Sequence, residues 1–254
     1  MIAGVVAPLS AHVAAGSLVV VALLAFRNRL PESFLRFCTL ASTVTALLAW
    51  ALSAGYPSTA RCLLAAASLF WYVWLRRRGD SWIPAGLGTV AALGALGAEC
   101  FGAVAEPVSR PLCLAGSLSS GLLLGSVSVS MVLGHWYLVA PQLSIAPLKQ
   151  GSLCFWGAAG VRAVIVGLAL LFGGWETLHV TRMADVLFST PALFFFIRAL
   201  MGLGAPLVVA GLIWQTVRMR STQSATGLLY VALILVLFGE LVSQFLTLTT
   251  GIPL

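Results

Sequence analysis

Long apolar stretches separated by short polar breaks run along the whole of this 254-residue chain. A helix that crosses the hydrocarbon core of a bilayer needs about 20 mostly apolar residues. Eight stretches approach or exceed that length, and they lie at residues 9–26, 33–54, 57–75, 84–105, 112–138, 152–174, 188–216 and 226–248. The pattern predicts an all-α, polytopic transmembrane bundle of about eight helices.

The breaks between these stretches contain Pro, Gly or Arg and are too short to form a soluble domain. We therefore expect residues 1–254 to form a single integral membrane domain. A Pro-containing break near residue 107 suggests two four-helix halves, 1–106 and 107–254.

Composition favours the same environment, because 60% of the residues are hydrophobic and only 8% are charged. Soluble domains carry roughly 25% charged residues. The expected solvent is therefore a lipid bilayer, and a bacterial cytoplasmic (inner) membrane is the predicted location.

The net charge of +7 fits membrane topology better than nucleic-acid binding, because the basic residues form short clusters between apolar runs. Nine of them flank alternate breaks, and three flank the others. The positive-inside rule then places both termini on the non-cytoplasmic side. The nine are Arg27, Arg29, Arg36, Arg76, Arg77, Arg78, Lys149, Arg218 and Arg220; the three are Arg61, Arg110 and Arg182.

Four ionisable residues lie deep inside predicted spans, namely Glu99, Arg162, Arg198 and Glu240. At a rise of ~1.5 Å per residue, each lies within roughly 6 Å of the bilayer centre. A lone charge there costs about 3 kcal/mol on insertion scales. Four unpaired charges would cost on the order of 10 kcal/mol, which is comparable to the stability of a domain. We therefore expect the two arginines and two glutamates to pair in the bundle interior, with Gln244 one turn from Glu240 on the same face.

Two interpretations of this predicted cluster stay open. Buried carboxylates can exchange protons, so the cluster is a candidate proton path or quinone pocket. Polar groups also join helices in membranes, and the same residues could be structural salt bridges.

The three histidines differ in predicted depth. His12 and His179 lie toward the outer side at levels that could just supply the two axial ligands of a b-type haem. His135 lies near the cytoplasmic end of the fifth span, in GHWYLV, where it either receives protons or contacts a quinone, or anchors the helix at the interface. The five cysteines form no CxxC pair, and we predict no metal site.

The last two spans resemble a known family. Arg198 is followed by GLGAPLV at 202–208, and the closing span carries Gly-Glu-Leu at 239–241. Over about the final sixty residues, this pattern resembles the membrane-anchor subunits of DMSO-reductase-type and NrfD-type oxidoreductases. The resemblance implies a quinol-reacting protein of eight or more helices that exchanges electrons with a peripheral iron–sulfur subunit. It carries over to Arg198 and Glu240.

These observations favour an integral subunit of a respiratory or other electron-transfer complex, with quinone as the implied cofactor and redox subunits as partners. A small proton-coupled transporter and a scaffold or assembly subunit without chemistry remain alternatives. No nucleophile elbow, Walker loop or dinucleotide fingerprint is present in the sequence, so enzymatic activity of the chain alone is not predicted.

Overall fold

A computed structural model of the chain describes residues 2–28, 30–53, 58–77, 82–103, 110–140, 142–169, 171 and 190–250. The regular secondary structure within these residues is helical. The helices are α1 (Ile2–Arg27), α2 (Glu32–Ala51), α3 (Ser58–Arg77), α4 (Trp82–Ala103), α5 (Arg110–Val139), α6 (Ala146–Ala169), α7 (Thr190–Ile197), a π-helical segment (Arg198–Gly204), α8 (Ala205–Arg218) and α9 (Thr222–Thr250). The segments from α7 to α8 follow one another without a break and form one rod.

Six rods in the described part of the chain are long and apolar enough to cross a membrane: α1, α2, α5, α6, Leu193–Arg218 and α9. The side chains of α4 are described over Ile83–Ala98, and this part is apolar, while α3 carries arginines near both ends. The predicted all-helical membrane protein is confirmed at this level.

The outer surface of the bundle is apolar, and polar side chains are buried inside it. Large hydrophobic side chains point outward on α3, α6 and α9, where Leu63, Val164 and Ile234 are each more than 60% exposed. In contrast, Ser120, Arg162 and other polar residues lie in the interior. Only a hydrocarbon solvent makes this arrangement favourable, since water would penalise the apolar surface.

Helices α1 and α6 differ most from the sequence pattern at their starts, and both contain a proline there. Helix α1 begins at Ile2 rather than near residue 9 and includes Pro8. Helix α6 begins at Ala146 rather than near residue 152, with Pro147 in its first turn. The N–H groups of a first helical turn have no intrahelical acceptor, so Pro147 removes no helix bond. Pro8 removes only one bond, close to the start of α1.

Helices α1 and α5 approach closely at glycines. A Cβ atom on Gly16 would overlap the carbonyl group of Gly121, and one on Gly125 would overlap the backbone of Gly16. Lipid offers no hydrophobic drive between helices, so such backbone contact, with its dispersion attraction, holds the pair together. The Gly121–Gly125 spacing of four residues places both glycines on the same face of α5.

One end of the bundle gathers most of the described basic side chains. Several bonds join helix ends there: the Asn28 side chain donates to Gln150 at 2.8 Å, and Arg36 donates to the carbonyl of Leu75 at 3.2 Å. We call this the basic end. Its basic residues are Arg27, Arg36, Arg76, Arg77, Lys149, Arg218 and Arg220.

The α1–α5 contact predicts that Gly125→Ala destabilises the protein by about 1–3 kcal/mol, because the added methyl group forces the two backbones apart. The measurement is thermal unfolding in detergent. Gly157→Ala is the matched control: this α6 glycine has open space around its Cβ position. Alanine raises helix propensity at both positions, so equal stabilisation of the two variants would contradict the predicted clash.

Candidate functional site

Three ionisable side chains from separate segments meet inside the bundle. Arg162 lies on α6, Arg198 is the first residue of the π-helical segment, and Glu240 lies on α9. Arg162 Nε lies 3.1 Å from Glu240 Oε1, and Arg198 Nη2 lies 2.6 Å from the same oxygen. Arg162 is 2% exposed, and the other two are fully buried. We call these three residues the Glu240 cluster.

Both carboxylate oxygens of Glu240 are saturated with donors. Oε1 accepts from Arg162 Nε and Arg198 Nη2, while Oε2 accepts from Arg162 Nη2 at 3.2 Å and from Ser120 Oγ at 2.6 Å. Arg162 therefore binds the carboxylate through two parallel hydrogen bonds. This bidentate geometry is the strongest for an arginine–carboxylate pair. Four donors fill the usual acceptor positions of a carboxylate, and this stabilises its ionised form in the bundle interior.

The guanidinium of Arg162 also ties α6 to two further helices. Its Nη1 donates to the carbonyl of Gly116 at 3.1 Å and approaches Ser119 Oγ at 3.5 Å, both on α5. Its Nη2 donates to Ser243 Oγ on α9 at 3.0 Å. Since Ser243 lies three residues after Glu240, the two side chains share a face of α9 and present one polar surface to Arg162.

The π-helical segment supports Arg198 through Gly202 and Pro206. Pro206 has no N–H to give to the carbonyl of Gly202, four residues earlier, and this carbonyl accepts a hydrogen bond from Arg198 Nη1 at 3.0 Å. A Cβ atom on Gly202 would lie 2.7 Å from Cα of Gly239, which is closer than real contacts allow. The two glycines thus let the segment touch α9 next to Glu240. π-Helical turns are rare and often occur at functional sites.

A second branch connects the Glu240 cluster to His12 on α1. Ser120 Oγ, which donates to Glu240, lies 3.3 Å from His12 Nδ1. Gln244 Nε2 lies 3.2 Å from the same ring nitrogen. His12 is 3% exposed, so an imidazole is buried one hydroxyl group away from the carboxylate. This branch gives the site a group that can take up or release a proton.

All these side chains lie at a similar level of the bundle. Given a rise of ~1.5 Å per residue, His12, Ser120, Arg162, Arg198 and Glu240 lie roughly 4 to 9 Å from the middle of their rods. Each is displaced away from the basic end. The predicted pairing of opposite charges at a common depth is therefore present for the two arginines and Glu240.

The other sequence-predicted residues are placed differently. Glu99 lies on α4, but its side chain falls outside the part of the chain that the structure describes, as does the whole of His179. His135 is exposed near the basic end, where its Nδ1 lies 3.3 Å from the hydroxyl of Tyr230. It is separated from Ser120 by about 22 Å along α5, so the structure does not bring it to the Glu240 cluster.

Sequence reasoning did not assign His12, Ser120 and Ser243 to this cluster. The sequence pattern presents His12 as a candidate haem ligand and assigns no role to Ser120 or Ser243. The signal that could have found them is their depth in the membrane. When the predicted spans are aligned, His12 and Ser120 lie at the level of Glu240. Among the described residues, no group of three or more His, Cys, Asp or Glu side chains could hold a metal ion.

Comparison with protein-family models, with curated proteins and with solved structures gave no match to this chain.

The Glu240 cluster predicts a large cost for removing its carboxylate. Glu240→Ala would leave two buried guanidinium groups without their counter-charge, and breaking a buried pair in this way costs about 3–5 kcal/mol. Unfolding in detergent mixtures of increasing SDS content measures the loss. The control is Glu32→Ala, which removes a partly exposed pair with Arg36 and should cost at most about 1 kcal/mol. Similar losses in both variants would contradict the importance of the buried pairing.

The glycine contact predicts that Gly202→Ala displaces Arg198 from Glu240, because the methyl group would meet both Arg198 Nη1 and the backbone of Gly239. We expect a loss of about 1–3 kcal/mol in the same unfolding measurement. Gly211→Ala, on α8 of the same rod, has open space at its Cβ position and should be neutral or stabilising. A neutral Gly202→Ala would show that the segment does not need this contact.

Proposed function

We propose that this chain is an eight-helix integral subunit of an electron-transfer complex in the cytoplasmic membrane. In this proposal the Glu240 cluster contributes a quinone head-group contact or a proton path. The observation that carries it is the buried carboxylate of Glu240, which connects through Ser120 to a titratable imidazole on another helix. A salt bridge that only joined helices would not need this branch.

The eight-helix topology is supported by the lengths of the two helices that fall outside the six clear spans. Helices α3 and α4 have 20 and 22 residues, and at ~1.5 Å per residue each reaches about 30 Å, the thickness of the hydrocarbon core. The arginines at the ends of α3 can extend to the interface. With eight crossings, both termini lie on the same side of the membrane.

The collection of basic residues at one end supports the orientation. The positive-inside rule assigns the basic end to the cytoplasm and both termini to the outside. The Glu240 cluster and His12 then lie in the outer half of the bilayer. Protons released or taken up by the quinone reaction would pass between this site and the non-cytoplasmic side.

The resemblance to DMSO-reductase-type and NrfD-type anchors supports the reaction class. It rests on Arg198, the sequence at 202–208 and Glu240. In the structure these elements touch each other, since Arg198 bonds to both Gly202 and Glu240. The partner is proposed because the breaks between spans are too short to hold soluble redox centres, and a peripheral subunit would supply them.

A scaffold subunit without chemistry is the second candidate, and one observation favours it. Glu240 already accepts four hydrogen bonds, so the cluster is complete without a ligand. In that case the cluster would only hold α5, α6, the π-helical segment and α9 together.

The test begins with purification in mild detergent, followed by a visible spectrum and quinone extraction. We expect cofactor-bearing subunits to co-purify and the complex to oxidise or reduce a quinone analogue. Glu240→Gln should lower the turnover per assembled complex by about 100-fold, because the neutral amide no longer stabilises a positive charge at the nearby imidazole. Glu32→Gln, at the basic end, is the control and should retain turnover.

Each other outcome selects another function. Full turnover of Glu240→Gln per assembled complex would favour the scaffold. A colourless chain without quinone or partners would remove the electron-transfer proposal. If that isolated chain carries protons across proteoliposomes and Glu240→Gln abolishes the flux, it is a transporter.

A further inference from the structure

The Glu240 cluster leaves open which of its groups exchanges protons. Glu240 is poorly suited to do so, because a proton on either oxygen would displace one of the donors that surround it. Arg162 and Arg198 stay charged under ordinary conditions. The remaining titratable group that the described contacts connect to Glu240 is His12.

The direction of the bonds around Ser120 determines which nitrogen of His12 carries a proton. Ser120 has one hydroxyl hydrogen, and it is directed to Glu240 Oε2 at 2.6 Å. Its lone pairs are then free to accept, and His12 Nδ1 lies 3.3 Å away. An acceptor at this distance favours a hydrogen on Nδ1, so the other nitrogen, Nε2, becomes the basic atom of the ring.

Gln244 fits this assignment in one of the two orientations of its side-chain amide, the one with the oxygen toward the ring. Its amide lies beside Nδ1 with the nitrogen at 3.2 Å. The amide oxygen and nitrogen exchange places when the side-chain amide turns by 180°, and their placement is assigned from the hydrogen-bond network. With the oxygen toward the ring, Gln244 and Ser120 both accept from Nδ1–H. With the nitrogen toward the ring, Gln244 would instead donate to a bare Nδ1.

We propose that His12 is the proton-exchanging group of this site, and that Ser120 and Glu240 are positioning residues that hold a hydrogen on its Nδ1. The inference rests on the proposed quinone-linked function. A proton released by the quinol hydroxyl would bind to Nε2 and give an imidazolium, whose charge the carboxylate stabilises through Ser120. The O–H bond of the quinol breaks as the N–H bond forms, and the electrons of the oxidised quinol pass to the iron–sulfur subunit of the proposed complex. Loss of the proton from Nε2 to the outer side then returns the neutral ring.

The charges around His12 come from several packed elements. Helix α9 supplies Glu240. Two positive charges are bonded to that carboxylate, namely Arg162 from α6 and Arg198 from the π-helical segment. Helix α5 presents the neutral Ser120 and begins at Arg110. On α4, Glu99 has no described side chain, while the ionisable residues of α2 lie at the basic end.

The first test is nitrogen NMR of ¹⁵N-histidine-labelled protein in lipid nanodiscs, with spectra recorded over a series of pH values. Replacing the other two histidines, by His135→Asn and His179→Asn, leaves His12 as the only signal. We expect a protonated Nδ1 and a bare Nε2. Ser120→Ala should shift the balance toward hydrogen on Nε2. A wild-type ring with its hydrogen on Nε2, or no response to Ser120→Ala, would overturn the proposal.

The second test uses the assembled complex and separates this proposal from the proposed function. His12→Gln should lower quinol turnover by about 100-fold and flatten its pH dependence, with assembly unchanged. Normal turnover with an unchanged pH profile would overturn the role of His12 while leaving the complex intact. If wild-type protein shows the expected ring state but no quinone reaction, the quinone-linked function fails and the positioning of the ring by Ser120 stands.

Discussion

The bonds that neutralise Glu240 set the requirements for the rest of the interior. A carboxylate in hydrocarbon needs donors on both oxygens, and here two guanidinium groups and one hydroxyl supply them. These donors come from α5, α6 and the π-helical segment. The elements must therefore approach α9 at one level, and the small residues at their contacts make this approach feasible.

The glycine contacts and the polar cluster depend on each other. Gly202 and Gly239 bring two backbones into direct contact beside Glu240, and Gly16 does the same between α1 and α5. Without these contacts the arginine and histidine side chains could not reach their partners at hydrogen-bond distance. A well-packed apolar interior is often as stable as a buried ion pair. The four donors to Glu240 therefore offset the cost of burying its charge, and they do not by themselves make the interior more stable than an apolar one.

Part of this arrangement could be predicted from the sequence, because it follows from costs that do not depend on the fold. The lengths of the apolar stretches define membrane spans. The free-energy cost of a lone charge in hydrocarbon favours pairing of Arg162 and Arg198 with Glu240. The depth of His12 could be predicted, but its contact with Ser120 could not, since apolar periodicity does not tell which helices are neighbours. The π-helical turn could not be predicted either. It contains one extra residue, and in a stretch that is apolar on all sides this residue does not alter the hydrophobic pattern. Helix α1 begins at Ile2 and not near residue 9, because a proline close to the start of a helix removes only one helix bond.

The order of the cluster residues along the chain has a consequence for biosynthesis. Arg162 and Arg198 are synthesised before Glu240, which lies on the last described helix. During translation, both guanidinium groups enter the insertion machinery while the carboxylate that will bind them is still inside the ribosome. Until α9 emerges, α6 and the rod from α7 to α8 each carry an arginine whose carboxylate partner is absent, which makes their insertion into lipid less favourable. A nascent chain that stops before α9 would be a natural target for membrane quality-control proteases.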